Sequence, residues 1–130
     1  MAKPVPAFIS FDYDNDDDLR AAFVAQASNP DTPFSIVDHS VKEPLPGNWK
    51  EKVRTRIKRA EQMIVLCGES THTAAGVSTE VEIAQEEGTP YFLLHCRKDR
   101  ECTKPRTAKS SDKIYKWTWP NVAALLNGSR

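Results

Sequence analysis

No apolar run in these 130 residues approaches the roughly 20 needed to cross a bilayer as a helix, and the opening MAKPVPAFIS lacks the apolar core of a secretory signal. The expectation is a cytoplasmic protein with no membrane partner. Cysteine is scarce: Cys67, Cys96 and Cys102 are odd in number and unevenly spaced, which excludes a disulfide framework and suits a reducing compartment. Charge of one sign is missing too, since 18 Lys and Arg balance 18 Asp and Glu, and that argues against a general nucleic-acid binder. Neither GxGxxG nor GxxxxGK[ST] occurs, so neither a glycine-fingerprint dinucleotide fold nor a P-loop nucleotidase is supported. Internal repeats are absent. What is present, 39% hydrophobic residues in a short chain, describes one domain over residues 1–130 with one core.

Ala7 to Phe11 is short, β-rich and followed at once by polar residues, so it reads as a buried first strand. A helix begins within Asp14 to Asp18, turns Leu19, Ala22 and Phe23 inward, and ends at Asn29-Pro30-Asp31. Phe34 to Val37 is a second strand. Asn48 and Glu51 resemble a capping box, and Trp49, Val53, Ile57 and Ala60 recur at helical spacing with a basic opposite face. Met63 to Cys67, the most continuous apolar run, is a central strand buried on both faces. A helix over Gly76 to Gly88 follows, then a buried strand over Tyr91 to His95. Residues 96–113 read as an exposed loop: Arg97 to Lys113 holds seven Lys or Arg against three acids without apolar periodicity. Ile114, Tyr115, Trp117 and Trp119 return to the core, and Pro120 opens a last helix through Val122, Leu125 and Leu126. The alternation predicts an α/β flavodoxin-like three-layer sandwich, with a central parallel sheet of four to five strands and helices on both faces.

Such sheets bind ligands beyond the carboxyl ends of their strands. That rule gathers Asp12 and Tyr13 after the first strand, Asp38, His39 and Ser40 after the second, and Gly68, Thr71 and His72 after the third on one rim. Glu80 joins them. At about 100° per residue it falls inside the apolar arc of Val77, Val81 and Ala84, whereas Glu82 points the opposite way. A carboxylate on the core-facing side of a helix is a candidate for the mouth of a pocket, and the plainer alternative is a first-turn acid complementing the helix dipole.

Other constellations are weaker. Asp12-x-Asp14-x-Asp16 has calcium-loop spacing, but the sixth position is Asp17 and the twelfth Phe23, so the EF-hand pattern fails. Asp16 to Asp18 read as helix capping. A phosphoacceptor receiver needs an aspartate where the central strand ends in Leu66-Cys67-Gly68. Cys67 reads as a core residue rather than a nucleophile served by His72 or His39. Cys96 and Cys102, with His95 adjacent, lack the tight spacing of a zinc site, and no metal is expected. The basic helix carrying Lys50, Lys52, Arg54, Arg56, Lys58 and Arg59 reads as a solvated face.

Several segments together resemble the bacterial TIR-like family found in the Thoeris anti-phage subunit. They are Ala7 to Asp16, then Asp38-His39-Ser40, then Trp49 with its basic helix, then Ile64 to Gly68 followed by Thr71-His72 and Glu80 to Ala84. The resemblance covers roughly residues 6 to 95 and rests on order and spacing rather than any single motif. It implies a flavodoxin-like fold related to Toll/interleukin receptor domains and cleavage of NAD at the nicotinamide glycosidic bond. The product implied is ADP-ribose or a cyclic ADP-ribose-type messenger that activates a partner effector. By position in the motif Glu80 matches the catalytic glutamate, while Phe11-Asp12-Tyr13 and Asp38-His39-Ser40 match parts lining the nucleotide pocket. NAD is then substrate, with no cofactor, and self-association is expected because many such enzymes complete their site with a neighbour's loop. Many relatives carry a tryptophan just before the glutamate; this chain has Thr79. A non-enzymatic TIR-like nucleotide-binding or assembly module is the alternative, and a nucleoside deoxyribosyltransferase-like enzyme a third reading.

Overall fold

The computed structural model describes residues 5–27, 36–38, 49–96 and 100–126. Five strands form one sheet in the order β2-β1-β3-β4-β5: β1 Val5–Ser10, β2 Ile36–Asp38, β3 Gln62–Cys67, β4 Tyr91–His95 and β5 Ile114–Lys116. Every neighbouring pair is parallel. The helices are α1 Tyr13–Ala27, α2 Trp49–Arg59, α3 Ala75–Glu87 and α4 Trp119–Leu126. This is the expected flavodoxin-like α/β arrangement, with five strands. No helix among the described residues is long and apolar enough to cross a membrane.

Strand alternation sends side chains into two cores. Ala7, Ile9 and Phe11 join Ile64, Leu66, Phe92 and Leu94 under Leu19 and Phe23 of α1 and Val122 and Leu125 of α4. Phe8 joins Met63, Val65, Cys67 and Leu93 under Val53 and Ile57 of α2 and Val77, Val81 and Ala84 of α3. β3 is buried at all six positions because it pairs with β1 on one side and β4 on the other and is covered on both faces. At about 1.5 to 3 kcal/mol per fully buried large apolar side chain, these two layers supply most of the stabilisation.

Two details depart from the sequence reading and two sharpen it. Ala22 is exposed, so the inward stripe of α1 is Leu19 and Phe23. β2 is described over Ile36–Asp38 and so runs one residue past the expected Val37, while Phe34 lies outside the described residues, as do Asn29 to Asp31 and Asn48. Ile114-Tyr115 is not merely an apolar return to the core but part of β5, which pairs Leu93 with Ile114 and Leu94 with Tyr115. α3 begins at Ala75 and closes at Gly88 (φ 70°), whose N–H reaches Ala84 and Gln85 while Thr89 N–H donates to the Ala84 carbonyl. Glycine is required there because that φ strains any residue with a Cβ.

The basic segment forms no helix or strand over residues 100–113, yet it is fastened to the domain. Thr103 N–H donates to the Gly68 carbonyl at 3.0 Å, and Arg106 N–H to Ser78 Oγ at 3.1 Å. Gln85 Nε2 donates to the Thr107 carbonyl at 2.9 Å, and the Asp112 carboxylate accepts from Tyr91 Oη and from Lys109 N–H. Pro105 is buried beneath it. The sequence pattern misses this strap because polar side chains and backbone groups tie it down, and those leave no apolar periodicity. Replacing Asp112 by Ala removes the tie to Tyr91 and a turn bond inside the strap, together worth about 2 kcal/mol, and should speed trypsin cleavage after Arg106 and Lys109 about thirtyfold. An unchanged cleavage rate would show that these bonds do not hold the strap.

Candidate active site

The sheet order places β1 beside β3 with crossovers leaving to opposite faces, so the crevice of this fold opens where β1 and β3 end. Ser10, the last residue of β1, is fully buried and shares a face with Phe8 toward α2 and α3. Its hydroxyl donates to Glu80 Oε1 at 2.7 Å. Glu80 is the sixth residue of α3, and the first turn of that helix carries no acid. The dipole explanation therefore fails, because that field decays within the first turn. Glu80 instead points inward, half-buried, as the helical arc predicts.

Burial pushes the Glu80 carboxyl from an ordinary 4.5 up to about 7, and the Ser10 hydrogen bond pulls it the other way. A group poised there is divided between acid and carboxylate at neutral pH, so it can exchange a proton or face a developing cation.

The other candidates distribute unevenly around this pair. Asp12 is buried, and its carbonyl accepts the Asp16 N–H at 2.7 Å. Phe11 continues the alternation of Ile9 into the core under α1 and α4. Tyr13 opens α1 beside them. Gly68 closes β3, donating its N–H to Thr71 Oγ1 at 2.8 Å, and Thr71 is fully buried at the start of a 3-10 turn over Thr71–Thr73. His72 is exposed, with its N–H and Nδ1 both on Thr103 Oγ1, so the strap engages it. Asp38 pairs with Ala7, three residues before Ser10 and so about 10 Å short of the strand end. His39 and Ser40 lie outside the described residues.

Two site residues escaped the sequence reading. Ser10 sits in an apolar run, and its one signal is being the single polar residue in Ala7 to Phe11. Asp16 shares the helix-cap pattern of Asp17 and Asp18 in sequence, but its backbone leaves helical geometry (φ −124°, ψ 17°) and it is only 2% exposed, whereas Asp18 is exposed. Its carboxylate lies against Gly68: a Cβ there would come within 2.4 Å of Oδ2 and 2.5 Å of Oδ1. Asp16 thus spans the crevice from the β1 side to the end of β3.

Away from the crevice, Arg54 of the basic helix is not simply solvated, since it bridges Glu86 and Glu87 of α3 at 2.7 and 2.6 Å. Burial drives the Cys67 and Cys96 thiols far above their usual range, which leaves no thiolate for nucleophilic chemistry.

A doubly wound parallel sheet in this order, with a carboxylate at its switch point, defines an α/β domain of the flavodoxin-like class. Residues 8–101 match the family model described as Thoeris protein ThsB, TIR-like domain, and the chain belongs to that family. Among solved structures, the crystal structure of a prokaryotic SEFIR domain is similar at 16% identity with a TM-score of 0.50, over 95% of this chain and 88% of that chain. At that identity the likeness concerns the fold. A comparison with curated proteins finds no match.

Two outcomes follow from this geometry. Gly68→Ala should destabilise by about 2 kcal/mol, because the crowding atoms belong to a buried carboxylate with little room to withdraw. The cost should shrink in an Asp16→Ala background, and equal costs in both backgrounds, measured by urea denaturation, would dismiss the contact. For Glu80 the folded state holds its proton up to about pH 7 while the unfolded chain releases it near 4.5. Native stability therefore falls as pH rises between those values and is flat above them, by up to about 3 kcal/mol. Denaturation at pH 5 and pH 8 should show this loss in the wild type and not in Glu80→Gln; parallel curves for both proteins would refute the raised value.

Proposed function

We propose that this protein cleaves NAD at the nicotinamide glycosidic bond as part of anti-phage defence. The observation that carries the reading is the half-buried Glu80 carboxyl, held by Ser10 at the β1/β3 switch point. Family membership supports the same reading.

In this mechanism the bond between nicotinamide nitrogen and ribose C1′ breaks, its electron pair leaves with nicotinamide, and the ribose becomes oxocarbenium-like. The Glu80 carboxylate stabilises that charge or holds the ribose hydroxyls. Water then adds to C1′ and loses a proton to give ADP-ribose, or a ring nitrogen of the same molecule's adenine adds to give a cyclic messenger for a partner effector. NAD is the substrate and no cofactor takes part. The groove is bounded by Asp12, Gly68, Thr71 and His72 at the ends of β1 and β3, with Tyr13 at the start of α1; Phe11 turns into the core, Asp38 stops short of the strand end, and His39 and Ser40 lie outside the described residues. Self-association brings a neighbour's loop to complete the site, in the cytoplasm.

A second reading, a TIR-like nucleotide-binding or assembly module without turnover, draws on Asp16. Its carboxylate takes up space at the crevice, and Thr79 supplies no aromatic ring beside Glu80.

Concentrated protein incubated with NAD, with and without phage-infected lysate, should release nicotinamide. Glu80→Gln should reduce that rate by at least about 100-fold, the scale of losing one transition-state contact with developing charge. If wild type and Glu80→Gln are equally inactive under every condition, the enzymatic reading is lost and the module reading stands.

A further inference from the structure

β1 is apolar at every described position except its last. Ala7, Phe8 and Ile9 fill the two cores, and Ser10, fully buried on the face where a Val or Leu would pack, places a hydroxyl there instead. A buried hydroxyl is costly unless it finds a partner. Its partner is Oε1 of Glu80, 70 residues away in sequence and on a different element. Oε2 takes no hydrogen bond from the described residues.

We propose that Ser10 is a positioning residue for Glu80: it anchors one carboxylate oxygen to the rigid end of β1 and leaves the other to face the reacting ribose. The role in turnover rests on the NAD-cleaving reading; the hold on the carboxylate does not. The anchor comes from an interior strand that pairs with β2 over Val5 to Ala7 and with β3 as far as Ser10 itself, in register with Val65. A strand fixes a donor more closely than a loop does. By donating to the charged form, the hydroxyl also opposes the burial that keeps Glu80 protonated. Among the described residues, burial and this hydroxyl are the influences that shift Glu80. The charged groups on the neighbouring elements are Asp12 beyond the end of β1, Arg54 and Lys58 on α2, and Glu82 on α3, and of these Arg54 and Lys58 are paired with Glu86 and Glu87.

The test compares wild type, Ser10→Ala and Ser10→Thr, the last retaining a hydroxyl. The Glu80 carboxyl is followed by carbon NMR from pH 4 to pH 9, with its signal assigned by its loss in Glu80→Gln. Nicotinamide release is measured over the same range. The titration midpoint should move upward in Ser10→Ala and return toward wild type in Ser10→Thr. The acid limb of the rate profile should follow it, with kcat lower on the order of tenfold and KM within about twofold. A midpoint unmoved in Ser10→Ala overturns the inference, whatever the rate does. If the midpoint moves while wild type releases no nicotinamide, the hold on Glu80 stands and the enzymatic reading alone falls.

Discussion

Everything at the crevice depends on the parallel pairing of β1 with β3. The register that sets Ser10 beside Val65 also fixes how far β1 ends from Gly68. Because the two following crossovers leave for opposite faces, α1 and α3 approach the same strand ends from either side. α1 delivers Asp16 against Gly68 and α3 delivers Glu80 onto Ser10. A slip of one residue in this pairing would exchange the faces of Phe8 and Ile9 and turn Ser10 away from α3. The apolar alternation that makes the core is thus the same constraint that aims the site.

Polar contacts then refine what the core places. The strap over residues 100–113 grips α3 through Ser78 and Gln85 and grips the end of β3 through the Gly68 carbonyl. Ser78 lies on the strap side of α3 and Glu80 on the β1 side, with Val77 and Val81 between them against the sheet. The second turn of α3 is therefore held from three directions. The Arg54 bridge to Glu86 and Glu87 ties the far end of the same helix to α2, a weak hold because solvent screens both pairs.

Most of the fold was legible because its signals are periodic: the apolar runs of β1, β3 and β4, the 3.6-residue stripes of α2 and α3, and the glycine closing α3. The same arithmetic separated Glu80 from Glu82. What escaped depends on contacts between residues far apart in sequence. Asp16 looks like any first-turn acid until its kink directs it at a glycine 52 positions away. Ser10 looks like an interruption of a strand until its partner is in place. The strap looks like a solvated loop because its anchors are backbone groups and single hydroxyls, which have no period.

The energetic sign of the Glu80 contact bears on why such a residue stands there. An acid serving stability would be lowered in pKa by its surroundings, as Glu87 is by Arg54. Glu80 is raised, so the native state works against its ionisation, and apolar residues at both position 80 and position 10 would fill the α2/α3 layer without this cost. A hydroxyl and a carboxyl facing each other inside an otherwise apolar layer therefore weaken the layer they sit in. What the layer holds in exchange is a carboxyl divided between acid and carboxylate near neutral pH, at the carboxyl end of two adjacent parallel strands, whose ionised form can face developing positive charge.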